Sequence, residues 1–242
     1  MPVLSKGFQF VKDTNIDLKA VKSIVFMGDT ACSGFDDESR LTLEKILAEK
    51  TDLFFILGDM VPIGSEDNFK EVIDFCNKRA LSAIFSLCGN HELPDYQKAL
   101  GLAAYTIELS SHIIVVLDNS SRYFTQPQLN FLDDSLIRHK DKKAIILFHI
   151  PPPNSLEILC MKQDDWNNLL KVMDKYKERI ELIMCGHIHA FYEYSLDGYR
   201  IIVTGGGGAR LYDWEGDPVK AHHAVRVNFN EDSSISTNII KV

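Results

Sequence analysis

Five apolar, strand-like runs in this chain each end in a short polar motif, and this recurrence constrains the fold more than any other feature. The runs are Ser23 to Met27, Leu53 to Leu57, Ala83 to Leu87, Lys143 to Phe148 and Ile180 to Met184. The motifs that follow them are Gly28-Asp29, Gly58-Asp59, Gly89-Asn90-His91-Glu92, His149 and Gly186-His187-Ile188-His189. Loops leaving the carboxyl ends of parallel strands converge on one edge of an α/β sheet, so residues far apart in sequence can meet there. Gathered in this way, the Asp, Asn and His side chains look like a two-metal hydrolytic centre.

Between the runs lie segments with helical spacing: Leu41, Glu44, Ile46 and Leu47; Phe69, Val72, Ile73 and Cys76; Leu129, Leu132 and Leu136; Trp166, Leu169, Leu170 and Met173. The second and fourth follow the i, i+3, i+4, i+7 pattern of a core-facing helix. Strands and helices thus alternate through the first three-quarters, which predicts a largely parallel sheet. Three hairpins break the alternation, at 105–109 with 111–117, at 191–196 with 199–204 across Asp197-Gly198, and at 224–229 with 235–241. Asp-Gly between two such runs is a hairpin turn signal. The expected fold class is α/β, with two stacked mixed β-sheets flanked by helices in one domain over 1–242. A chain of 242 residues can bury about 70 to 75% of its unfolded surface in that form.

A net charge of −8 argues against a nucleic-acid polymer as partner, because backbone binding relies on clustered Lys and Arg. Small phosphorylated substrates fit better, since bound cations can supply positive potential locally. Residues 1–20 lack the pattern of a signal peptide, and no apolar run approaches the ~20 residues of a membrane span. The five cysteines, at 32, 76, 88, 160 and 185, form no CxxC pair and predict neither a zinc ribbon nor a disulfide framework. A reducing, cytoplasmic setting is expected. Cys88 and Cys185, two residues before Asn90 and His187, are read as small core residues rather than redox sensors of the site. His112 and His139 are expected at the surface or an edge, and His222 and His223 at the start of a C-terminal strand.

The order and wording of the motifs resemble the calcineurin-like metallophosphoesterase superfamily, whose pattern reads DxH, GDxx, GNH[DE], an isolated His and GHxH. The resemblance spans roughly residues 23–208 and implies a four-layer sandwich. Stretches around Leu117-Asp118-Asn119-Ser120, Gln126 to Leu132 and Thr204 to Ala209 are most similar to the purple-acid-phosphatase-like and cyclic-nucleotide-phosphodiesterase-like branches. The resemblance implies that Asp59 bridges two divalent cations, Mn, Fe or Zn. Asn90, His149 and His187 would complete the second cation's ligands, and Asp29 and His189 would join Asp59 on the first. His91 would stabilise or protonate the leaving oxygen, a task suited to imidazole, and Glu92 behind it is expected to orient an imidazole or a metal ligand.

One position departs from the pattern. The His of DxH is Ala31, which offers no lone pair. Purple acid phosphatases also lack this His but carry a Tyr three residues after the bridging Asp, where this chain has Pro62. The first cation would take an extra water, recruit Cys32 or Asp36, or bind weakly, with water preferred; that site is expected to be the weaker of the two, and Ala31→His to tighten it. Arg210 and Trp214 are candidate substrate contacts, through a phosphate oxygen and a stacked base. The function implied is hydrolysis of a small phosphodiester or phosphomonoester by metal-activated water, without a covalent enzyme intermediate. The alternative is a non-catalytic protein-interaction scaffold on the same fold.

Overall fold

Side chains alternate across a strand, and in this chain the alternation sorts the apolar runs into three layers. The computed structural model describes residues 4–242. In chain order the elements are β1 (Gly7–Phe8), β2 (Asn15–Asp17), β3 (Ser23–Met27), α1 (Asp37–Leu47), β4 (Leu53–Ile56), α2 (Glu66–Arg79), β5 (Ala83–Ser86), α3 (Tyr96–Leu100) and β6 (Tyr105–Glu108). There follow β7 (His112–Val116), α4 (Gln126–Arg138), β8 (Lys143–Leu147), α5 (Gln163–Met173), β9 (Ile180–Cys185), β10 (Phe191–Leu196), β11 (Tyr199–Thr204), β12 (His223–Phe229) and β13 (Ile235–Lys241).

One sheet has the order β1-β5-β4-β3-β12-β13 and the other β10-β11-β9-β8-β7-β6-β2. Their centres are parallel, β3 with β4 and β5, and β7 with β8 and β9. The three expected hairpins supply the antiparallel pairs, and β12 runs antiparallel to β3 to close the first sheet. At the middle hairpin, Asp197 and Gly198 take φ of 51° and 81°, the left-handed pair a tight turn needs.

Ile24, Phe26, Phe55 and Phe85 of the first sheet pack against Ile114, Val116, Ile145 and Met184 of the second. The alternate residues point outward. Val25, Met27, Phe54 and Ile84 meet α1 and α2 through Leu43, Ile46, Phe69 and Val72, while Ile113, Ile146 and Ile183 meet α4 and α5 through Leu132, Leu136, Trp166 and Leu169. The mixed sandwich with outer helices is therefore the expected architecture.

Three details differ from expectation. Leu41 is 55% exposed, because α1 turns Leu43, Ile46 and Leu47 inward instead. His112 and His139 are buried, not peripheral. His112 lies on β7 inside its sheet, where Nε2 is 2.8 Å from Glu181 Oε2; His139 ends α4 with Nδ1 2.9 Å from the Ser135 carbonyl. Polar partners for each ring offset its burial. The short β1, β2 and α3 carry no periodic signal. Residues 1–3 of the N-terminal segment read above lie outside the described residues. Among the described residues no helix is long and apolar enough to cross a membrane.

Candidate metal centre

The motif loops leave β3, β4 and β5 in one sheet and β8 and β9 in the other, at the same end of the sandwich. Three of their non-glycine residues hold left-handed backbone: Asp29 (φ 58°), Asp59 (φ 53°) and His187 (φ 69°). Each sharp turn aims a side chain back across the strand ends. Gly58 allows this crowding, since a Cβ there would lie 2.7 Å from His149 Nδ1 and 2.8 Å from the Gly89 backbone.

The structure brings the predicted residues into two adjoining groups of ligand-type atoms, one of Asp59, His149 and His187 and one of Asp29, Cys32 and His189. In the first, His149 Nε2 is 3.1 Å from Asp59 Oδ2 and 3.2 Å from His187 Nδ1. In the second, His189 Nε2 is 3.6 Å from Asp29 Oδ1 and 3.2 Å from Cys32 Sγ. The tautomers follow from the far side of each ring. His149 Nδ1 lies 2.8 Å from the Leu57 carbonyl and His189 Nδ1 2.8 Å from the Arg210 carbonyl, so each Nδ1 donates and each Nε2 faces the carboxylates. In the metal-free chain the His149 Nε2 holds a proton toward Asp59, whereas burial keeps His189 neutral and its Nε2 lone pair 3.6 Å from Asp29 Oδ1, which is unfavourable unless positive charge lies between them.

The same conflict shapes the acid–base behaviour. Burial opposes charge on His149, yet the Asp59 carboxylate, with Asp29 beyond it, lifts the ring to about 10. Burial and the His149 charge push His187 down to about 3. Burial, reinforced by the Asp59 charge, raises the Asp29 carboxyl. Asp29 Oδ1, Asn90 Oδ1 and His187 Nε2 are buried without a hydrogen-bond partner, although buried polar atoms are nearly always satisfied. This donor set of carboxylate, amide and imidazole fits Mn²⁺, Fe or Zn²⁺.

A frame of hydrogen bonds fixes the loops. Each carboxylate uses one oxygen on a neighbouring turn: Asp29 Oδ2 accepts from His187 N at 2.8 Å and Asp59 Oδ1 from His91 N at 3.0 Å. Glu92, fully buried, accepts from the backbone N–H groups of Asp59, Met60, Val61 and Gly89 at 2.8, 2.7, 3.2 and 2.6 Å. It therefore orients the Asp59 turn, not an imidazole. Asn119 secures the other sheet's loop, its Oδ1 accepting from His149 N and Ile150 N at 3.0 Å each and its Nδ2 donating to Ile150 O at 2.7 Å. Sequence reading noted Asn119 only as part of a branch resemblance and gave it no role.

His91 stands at the rim. Its Nδ1 is 2.8 Å from the Pro62 carbonyl and its Nε2 3.9 Å from Asp59 Oδ2, so Nε2 faces the pocket. The Arg210 side chain is exposed beside His189, while Trp214 packs edge-on against Tyr192 with ring centroids 4.8 Å apart. The aromatic ring nearer the centre is Tyr212, stacked on His189 at 4.6 Å, which the sequence did not single out. Ser33, His189, Arg210 and Tyr212 line an open depression of about 480 Å³. Cys88 and Cys185 are buried, and burial raises both thiols, as expected of core residues. Asp36, one candidate for the gap at Ala31, instead caps α1 by accepting from Ser39 N at 2.9 Å.

The family model described as calcineurin-like phosphoesterase matches residues 22–191, a span containing every residue of both groups. The chain belongs to the calcineurin-like phosphoesterase family. A dimetal phosphatase from Danio rerio superposes with a TM-score of 0.66 at 14% identity, covering 91% of this chain and 99% of that one. GAP50, the anchor in the inner membrane complex of Plasmodium, does so with a TM-score of 0.68 at 12% identity over 92% and 85%. A putative 5'-nucleotidase from Staphylococcus aureus gives 0.56 at 14% over 91% and 54%. At these identities the likeness is one of fold. No relative among the curated proteins matches this calcineurin-like phosphoesterase.

Proposed function

We propose that this phosphoesterase hydrolyses a small phosphodiester or phosphomonoester, diesters leading, with water as the nucleophile and a pair of divalent cations as cofactor. The observation that carries the reading is the set of buried, unpartnered ligand atoms Asp29 Oδ1, Asn90 Oδ1 and His187 Nε2. Asp29 Oδ1 lies 3.6 Å from His189 Nε2, and ligand-type atoms of Asp59, His149 and His187 all lie within 4.8 Å of one another. Asp59 would bridge the cations, Asn90, His149 and His187 would hold one, and Asp29 and His189 the other. When bound, such cations would supply a water of lowered pKa and positive charge for the phosphoryl oxygens.

The chain's own residues supply the rest. The Pro62 carbonyl fixes the His91 tautomer, leaving Nε2 to carry a proton to the departing oxygen. Arg210, exposed beside the pocket, would meet a phosphate oxygen. Trp214 is less suited to stack on a base, because Tyr192 already occupies one side of it. A single domain over the chain would carry the whole centre. The cytoplasmic reading is supported by cysteines that are all free.

The alternative, a non-catalytic scaffold, has a parallel in the neighbour described as an anchor. A scaffold has no use for buried ligand atoms without partners, each a cost of about 1–3 kcal/mol. The test is to strip the protein of metal, reload it with Mn²⁺, Fe, Zn²⁺ or Mg²⁺ in turn, and assay a panel of phosphomonoesters and phosphodiesters. Turnover with at least one cation, abolished together with metal retention in Asp59→Asn, is the expected result. Bound metal with no turnover on any ester would leave the scaffold.

A further inference from the structure

The residue that breaks the family's DxH pattern has a neighbour placed to repair it. Ala31 is fully buried and its methyl packs into the apolar layer with Val25, Met27 and Leu43, so position 31 faces away from the pocket. The chain then turns, with Gly34 N donating to Ala31 O at 2.9 Å, and directs the next side chain inward. Cys32 Sγ comes to 3.2 Å from His189 Nε2, and the ligand atoms of Asp29, Cys32 and His189 all lie within 4.8 Å of one another. An independent observation marks the spot between them. Asp29 Oδ1, on a fully buried side chain, has no hydrogen-bond partner and lies 3.6 Å from His189 Nε2. Cys32 itself is only 8% exposed.

We propose that Cys32 Sγ is a protein ligand of the first cation, taking by a one-residue shift the role that the pattern gives to a His at position 31. The inference rests on the metal-centre reading above and replaces the water preferred from sequence. A thiolate joined to carboxylate and imidazole changes which cation is held. Sulfur ligands select Zn²⁺, Fe and other thiophilic ions, whereas oxygen-rich sites suit Mg²⁺ and Mn²⁺. The two halves of the centre would then differ, with the Asp59, Asn90, His149 and His187 site remaining an oxygen and nitrogen site. On ligation the thiol gives up its proton to solvent as the sulfur–metal bond forms.

The test titrates Co²⁺ into the metal-free full-length protein, reading thiolate-to-cobalt charge-transfer absorption and the bound metal per chain by mass spectrometry. The parent should show the absorption and retain two cations after dialysis. Cys32→Ser and Cys32→Ala should lose the absorption and retain one cation, whose persistence at the other site shows that the variants are folded. Zn²⁺ affinity of the first site should fall in both by more than the about 10- to 100-fold that losing an outer partner of a ligand costs. Two cobalt ions bound by the parent without thiolate absorption, or the absorption surviving in Cys32→Ser, would overturn the assignment while leaving the two-metal reading intact. A parent that retains no cation would overturn both.

Discussion

Asn119→Ala tests whether the loop carrying His149 is held in the way the hydrogen bonds indicate. Asn119 is 1% exposed, and its amide satisfies His149 N, Ile150 N and Ile150 O. Truncation leaves these backbone groups without their partner. A buried polar group so orphaned costs about 1–3 kcal/mol, so the sum is about 3–9 kcal/mol, reduced to the extent that water enters the space. Because Asn119 is neutral, no change in buried charge competes with this loss. For a domain of this size each kcal/mol lowers Tm by about 2–4 °C, so the lower bound predicts a fall of at least about 6 °C. The assay is thermal unfolding followed by circular dichroism in excess chelator, which separates the effect from metal binding. The same variant should bind the second cation more weakly, because His149 loses its anchor. A metal-free Tm within about 2 °C of the parent would refute the reasoning, since the lower bound alone predicts about 6 °C.

The remaining predictions use other parts of the centre and core. His91→Ala should lower turnover by about 10²- to 10⁴-fold, the range for losing a positioned acid or base, with metal content unchanged by mass spectrometry. Ala31→His should not tighten the first site. It should cost about 1–3 kcal/mol of overpacking and a further about 1–3 kcal/mol for a buried polar ring, read as a lower urea midpoint. Burial holds His112 below its usual pKa of 6.5, against the pull of Glu181 and with help from Lys143 and Lys142. Below pH 6.5 the unfolded chain therefore binds a proton that the folded chain refuses, so this contribution is full above that pH and declines as pH falls. His112→Gln should accordingly lose less stability than the parent between about pH 7.5 and about pH 5.5 in denaturant melts.

The candidate ligand set was legible because it is written locally. Each motif is a short polar interruption at the end of an apolar run, and parallel topology carries all of them to one edge. Helix faces were legible where spacing was regular, as at Phe69, Val72 and Cys76, and misread at α1, where Leu41 occupies a helical position on the solvent side. What sequence could not show depends on contacts far apart in the chain. His112 is buried because Glu181 meets it from β9, and neither residue announces the other. Asn119 and Tyr212 gain their places from Ile150 and His189, each more than 20 positions away. The inward turn of Cys32 rather than Ala31 is a matter of backbone path, to which residue type gives no signal.

Strain and charge at the centre favour the same account. Non-glycine residues in left-handed backbone cost about 1–3 kcal/mol each and persist where surrounding structure over-determines them. Here Asp29, Asp59 and His187 are all so placed, and backbone N–H groups donating to the carboxylates of Glu92, Asp29 and Asp59 hold the turns. In the metal-free fold, despite burial, the His149 charge and the His91 backbone N–H hold Asp59 below the usual carboxylate range, whereas burial and the Asp59 charge leave the Asp29 and Glu92 carboxyls raised despite the pull of His149. Two divalent cations would offset that remaining cost and give unpartnered Asp29 Oδ1 a partner. Cations that bound the folded chain alone would each also stabilise it by about 2.7 kcal/mol at a free concentration of 100 Kd. The strain and the acidic cluster are thus intelligible as the geometry of a bound state, which a purely structural role for these residues would not require.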